Sequence, residues 1–222
     1  MLAKISKFIV GVLLIPVVIG ITAAFFNSLK DIGALSNGCA KIFLKGVILY
    51  VVIHLFIFKP MYIYTVGHEL MHAIATWICG GGVKSIQASK EGGQVETTKS
   101  NFFISLSPYF IPLYTVILVF LYFVIPFFIK IPGLKTIFFF LTGVTLSLHL
   151  IFTAEVLKIK QPDLINTGYL FSVVLIYIVN IMLVAFLICL LFKGVKFETF
   201  FYNTYVNSKN IYIRVVKQLF FV

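Results

Sequence analysis

The stretch VGHELMHAIATWICGGG, residues 66–82, places two histidines and a glutamate inside an apolar segment that ends on three glycines. Gly80-Gly81-Gly82 is a helix stop. The rest of the chain has the composition of a membrane protein. Its 222 residues are 61% hydrophobic and 11% charged, with a mean hydropathy of +1.09. One soluble core cannot bury that much apolar surface. Runs at 8–26, 101–129, 136–154 and 169–192 are each long enough to cross about 30 Å of hydrocarbon. Two more, 42–58 and 61–79, are separated only by Lys59-Pro60, a pair suited to a tight turn between antiparallel helices. The expected fold class is an all-α polytopic membrane protein of about six transmembrane helices. The first run is read as an uncleaved helix, because it is long and no small-x-small cleavage site follows it.

Downstream of the glycine stop, 83–88 (VKSIQA) and 94–98 (QVETT) flank Gly92-Gly93. Partial alternation around that pair predicts a small β-hairpin after the His-Glu helix. The chain then divides into N-terminal membrane helices (1–60), a membrane core (61–192) and a basic amphipathic tail (193–222). In the tail Ile211, Val215 and Leu219 recur at helical spacing beside Arg214 and Lys217, the pattern of a helix lying on a membrane surface.

The net charge of +11 does not point to nucleic acid. Its lysines are scattered singly or in pairs between apolar runs, where they anchor helix ends at lipid headgroups, and no soluble face gathers them. Under the six-helix arrangement eight lysines fall on each side, Lys160 and Lys193 among them, so the positive-inside rule selects no orientation. Cys39, Cys79 and Cys189 form no CxxC pair and suggest neither a disulfide framework nor a cysteine zinc site.

His68 and His72 stand four residues apart, so on a helix their imidazoles project from one face and can bind one zinc ion. Glu69, beside them, can reach a metal-bound water as general base without being a ligand. This is the HExxH arrangement of metalloproteases. With four histidines and five glutamates in the chain, chance produces it on the order of once in several hundred shufflings. Ionisable groups in a membrane helix are also costly and usually functional, which favours a zinc site over an interhelical hydrogen-bond pair.

Zinc requires a third protein ligand. His54, mid-helix before Lys59-Pro60, fits an interhelical hydrogen bond better than ligation. Glu155, beside Lys158, fits an ordinary exposed carboxylate. His149 is eight residues before Leu157 as His72 is seven before Cys79, which puts both about 10–12 Å below the same surface. Two crossings lie between the loop after Cys79 and the loop after Leu157, so the two loops are expected to emerge on the same side. His149 is therefore a candidate ligand or a partner behind the ligands. Asp163, in KIKQPDLINTG just before the last run, fits a ligand and a helix cap equally well by its chemistry.

HELMH in a membrane helix, a Gly-rich hairpin and a later Pro-Asp opening another helix resemble the site-2 protease family, intramembrane zinc metalloproteases, in its compact form without large soluble domains. The resemblance covers about residues 61–192, and HExxH is its one highly specific element. It implies Zn2+ held by His68, His72 and Asp163, with Glu69 as catalytic base. The family's aspartate usually lies in an Asn-Pro-rich stretch followed by glycine; here Gln161-Pro162-Asp163-Leu164 precedes Gly168. The resemblance also implies that β structure at 83–98, through residues such as Val83, Ile86 and Val95, takes an unwound transmembrane or membrane-associated peptide as an added strand. Pro108 and Pro112 are expected to bend the fourth run, as a static kink or a gate. The implied setting is a multi-pass protein of the cell membrane, its active site toward the cytoplasm. Two rivals stand beside this reading: an inactive scaffold of the same family, and a metal transporter, which would want ionisable residues through several helices.

Overall fold

A computed structural model describes residues 2–30, 38–159, 161–192 and 194–220; Lys160 and Lys193, counted in the lysine tally, lie outside them. Among the described residues the chain is almost wholly helical, with one two-stranded antiparallel sheet. Four helices there are long and apolar enough to cross a membrane, or five if one bent pair counts as a span. By length and composition this is fewer than the expected six. Residues 61–79 do form a helix, but it is not among the candidate spans, since two histidines and a glutamate lower its hydropathy.

Contacts divide the chain into two units, Met1–Asn37 with Ile165–Val222, and Gly38–Leu164. These boundaries differ from divisions at 60 and 192, because helices from the two termini pack together. In the first unit α1 (Leu2–Leu13) and α2 (Ile15–Lys30) make one candidate span, Lys4–Lys30. They are followed in this unit by α9 (Tyr169–Leu191) and α10 (Phe197–Phe220). The tail forms a helix as expected, and part of it packs on α2 and α9. Phe200 of α10 is buried with Ile21 and Ala24 of α2 and Ala185 of α9. Further along, Asn207 Nδ2 donates to the Gly20 carbonyl at 3.4 Å and the Tyr212 hydroxyl to that of Leu13. Val215 and Leu219, which share the helical spacing read from the sequence, are exposed.

The second unit contains the HELMH segment. Helix α3 (Gly38–Val52) continues through a π-helical turn, Ile53–Ile57, into Lys59-Pro60 and then α4 (Met61–Ile78). Strands β1 (Val83–Ala88) and β2 (Gly93–Thr97) form the expected hairpin, with Ile86 opposite Val95 and an irregularity between Val83 and Ser85. Helices α5 (Phe102–Phe110) and α6 (Leu113–Val124) follow, bent by 68°. That bend is sharper than a kinked single helix, because Pro112 has no N–H to continue α5 and instead starts α6. Helix α7 (Leu134–Leu157) completes the framework, and short α8 (Pro162–Thr167) follows it.

Helices α3 and α7 run parallel. Gly46 abuts Phe140, Gly143 abuts Phe43, Tyr50 packs with Leu148 and Phe152, and His54 meets Phe152 and Glu155. A Cβ at Gly46 or Gly143 would come within 2.1 or 2.2 Å of a carbonyl oxygen of the facing helix. Only glycine lets these backbones approach so closely, as small residues do in membrane helix pairs. Parallel α3 and α7 contradict strict alternation of six crossings, which would make them antiparallel. The start of α4 also lies beside the end of α7, where Lys59 pairs with Glu155 and Tyr64 stacks on Phe152 at 4.5 Å. The ends of α4 and α7 therefore do not emerge together, and the lysine tally built on that sidedness falls with it.

Candidate metal centre

Helix α4 ends by a Schellman closure. Gly80 takes φ 68°, its N–H donates to Trp77 O at 2.9 Å, and Gly81 N–H donates to Thr76 O at 2.8 Å. The glycine stop lets the hairpin fold back along the helix that it follows. Gly93, at the start of β2, comes down on Glu69: a Cβ there would lie 2.5 Å from Glu69 Cγ and Oε1. Glu69 is accordingly buried, 6% exposed. After α7 a tight turn (Ile159 N–H to Val156 O, 2.9 Å; Gln161 N–H to Ile159 O, 2.8 Å) returns the chain to α4 and sets Asp163 against both histidines.

Three donor atoms converge there. His68 Nε2 lies 3.2 Å from His72 Nε2 and 3.5 Å from Asp163 Oδ2, and His72 Nε2 lies 3.2 Å from the same oxygen. Tetrahedral zinc with bonds of about 2.0–2.1 Å separates its ligand atoms by about 3.3–3.4 Å, so these edges fit. The chemistry of the donors fits as well. His72 Nδ1 is 2.8 Å from the Ile104 carbonyl, which only accepts, so Nδ1 carries the proton and Nε2 presents a lone pair. Asp163 Oδ2 is an acceptor too, and a cation, proton or metal, must satisfy the cluster. When the cation shared by the cluster is a proton, burial pushes the Asp163 carboxyl up, but Nε2–H hydrogen bonds from His68 and His72 and their charge outweigh it and hold it well below the usual carboxylate range.

A second ring of groups orients the first. The Tyr64 hydroxyl meets His68 Nδ1 at 3.3 Å, and the fully buried Tyr109 donates to Asp163 Oδ2 at 3.3 Å. The Ile104 carbonyl can take His72 because of Pro108. Its helical partner would be the N–H four residues on, and proline has none. Pro108, legible in the sequence as a bend, frees the acceptor that sets the tautomer of His72. Tyr64, Ile104 and Tyr109 carry no sequence motif, and the i, i+4 spacing of Tyr64 and His68 was the only signal available for them; Gly93 was legible as a hairpin residue but not as a neighbour of Glu69.

His149 is buried on α7 and lines a cavity with His68, but it is not among the described residues whose ligand atoms gather with the two histidines. His54 and Glu155 form a separate cluster. His54 Nδ1 meets Tyr50 Oη at 3.1 Å, its Nε2 meets Glu155 Oε1 at 3.3 Å, and Lys59 pairs with the same carboxylate. Val83, Ile86 and Val95 lie on the hairpin, and both strands contact α4. No family model, curated protein or solved structure matches the chain.

Proposed function

We propose that the protein is an intramembrane zinc metalloprotease of the site-2 protease kind, hydrolysing peptide bonds of membrane-embedded or membrane-associated substrates. The observation that carries this reading is the tetrahedral spacing of His68, His72 and Asp163 with the Glu69 carboxylate beside them on α4. Zn2+ held there would supply Lewis acidity, activating a water and polarising a peptide carbonyl. Glu69 accepts the water proton on its carboxylate and returns it to the departing amine. Its burial beneath Gly93 excludes bulk water and fixes its direction. Ile104 and Tyr64 hold the two imidazoles, and Tyr109 holds Asp163. The hairpin offers the outer edges of β1 and β2 to an extended peptide, whose freed backbone groups need partners in lipid. The setting that goes with this reading is the cell membrane, with the site toward the cytoplasm.

The test is Glu69→Gln in zinc-loaded protein. It preserves shape and metal but removes the proton acceptor, and general-base catalysis contributes about 10²–10⁴-fold. Comparing membrane proteins cleaved in cells carrying either form identifies substrates. Cleavage above about a tenth of the wild-type rate in the variant would remove the assigned role. Identical cleavage profiles would favour a scaffold, and zinc flux in proteoliposomes would favour a transporter.

A further inference from the structure

The spacing that joins Tyr64 to His68 occurs a second time, at Tyr50 and His54. In each pair the tyrosine hydroxyl meets Nδ1 of the histidine one turn on, at 3.1 Å for His54 and 3.3 Å for His68. In each the other ring nitrogen, Nε2, faces a carboxylate: Glu155 lies 3.3 Å from His54 and Asp163 3.5 Å from His68. The clusters differ in what completes them. Asp163 is shared by two imidazoles, whereas Glu155 takes the ammonium of Lys59. A neutral His54 satisfies this arrangement by donating Nε2–H to Glu155 and accepting at Nδ1 from Tyr50. His54 is buried in the π-helical turn Ile53–Ile57, an irregularity frequent at functional sites.

One ring connects the two clusters. Phe152, on α7 one turn before Glu155, is fully buried; its ring meets His54 edge-on at 5.1 Å and stacks on Tyr64 at 4.5 Å. The Tyr64 ring is in turn 5.6 Å from that of His68. The row His54, Phe152, Tyr64, His68 is therefore continuous, each ring within contact range of the next. Its outer end is pinned. Lys59 immediately precedes Pro60, the N-cap of α4, and Tyr64 lies one turn into that helix. The ion pair of Lys59 with Glu155 thus fixes the start of α4 against the end of α7, and with it the place where Tyr64 meets Phe152.

Resting on the metalloprotease reading, we infer that Glu155, with His54 and Lys59, is a positioning residue of the zinc site: it seats Phe152 against Tyr64, and Tyr64 holds the His68 imidazole so that Nε2 faces the metal. A metal on Nε2 leaves the proton on Nδ1, and that proton needs the Tyr64 oxygen as its acceptor. Closely packed rings do not absorb a shift of the helices that carry them. A slip of α4 along α7 therefore moves the Tyr64 hydroxyl away from His68. Without the carboxylate of Glu155, His54 and Lys59 lose their common partner and nothing charged holds that register.

Metal binding by purified, detergent-solubilised protein tests this without a substrate. Zinc Kd is measured by competition with a chelator, and the d–d absorption of the cobalt(II)-loaded protein reports ligand geometry. Glu155→Ala should weaken zinc about threefold to thirtyfold, the range for residues that act on a site through packed neighbours, and should shift the cobalt spectrum. Glu155→Gln keeps an oxygen that accepts from His54 and Lys59; it should restore the spectrum and bring Kd within about twofold of wild type. Phe152→Leu removes the connecting ring and should weaken zinc by a similar factor. In the double variant Glu155→Ala/Phe152→Leu the loss should equal the larger single loss, because both cut one row. Losses that multiply would overturn the route through Phe152. Gly46→Ala is the structural control, since its Cβ would meet the Phe140 carbonyl oxygen at 2.1 Å. It should lower thermal stability while leaving the cobalt spectrum unchanged and zinc Kd within about twofold. Equal zinc loss in Gly46→Ala and Glu155→Ala would overturn the inference, as would wild-type Kd and spectrum in Glu155→Ala. If Gly46→Ala does not fold, the glutamine rescue and the double variant decide. Failure of the wild-type protein to bind zinc or cobalt would overturn the metalloprotease reading, and the positioning role with it.

Discussion

Gly93→Ala puts one methyl group where the structure has no room for it. The new Cβ would stand 2.5 Å from both Cγ and Oε1 of Glu69. Non-bonded carbons settle at about 3.5–4.0 Å, so the overlap is about 1 Å, and either Glu69 turns away or β2 lifts from α4. Turning a flexible side chain off its preferred rotamer costs about 1 kcal/mol, so folding and metal content should hardly change. The reaction is far less tolerant. A displacement of about 1 Å at a positioned group costs on the order of 10²-fold in rate. The assay measures zinc per protein and the rate on a substrate cut by wild-type protein and spared by Glu69→Gln. Gly82→Ala is the control, since its Cβ would meet nothing closer than 3.5 Å. Wild-type turnover in Gly93→Ala would refute the placement of Glu69 beneath the hairpin. Loss of rate together with loss of zinc would assign Gly93 to holding the metal site instead.

Asp163→Ala should lose zinc nearly as completely as His68→Ala, whereas His149→Ala, outside the donor cluster, should weaken retention by less than about 100-fold; the reverse order in purified protein would make Asp163 a helix cap. Pro108→Ala should act in opposite directions on two readouts. Thermal stability rises as a helix-interior proline is removed, while zinc affinity falls about tenfold because the new N–H competes with His72 for the Ile104 carbonyl. Unchanged affinity, by competition with a chelator, counts against that role. Single cysteines at Phe58 and Ile159, in a background without Cys39, Cys79 and Cys189, should be labelled by an impermeant reagent from one side, as parallel α3 and α7 require; labelling from opposite sides removes the parallel pair.

What the sequence by itself determined is what depends on neighbours along the chain. Apolar runs, the common face of His68 and His72, the Gly80-Gly81 stop and the Gly92-Gly93 hairpin are all consequences of local spacing and backbone preference. Each is present at the expected place. Asp163 and His149 could not be separated that way, because each had suitable chemistry and only the turn after α7 brings Asp163 onto α4. Counting crossings failed for a related reason. Alternation assumes that every apolar run spans the bilayer, whereas α5 and α6 break by 68° and α4 is less apolar than the spans around it. The direction of α3 against α7 was decided instead by contacts between residues about a hundred positions apart, Tyr50 with Leu148 and His54 with Glu155, where Gly46 and Gly143 let the backbones close. Pro108 shows the division most clearly. That it cannot donate a hydrogen bond is written in its covalent structure; that the carbonyl it leaves without a helical N–H, shared with the Ser107 hydroxyl, is the one His72 needs is decided only when α5 packs beside α4.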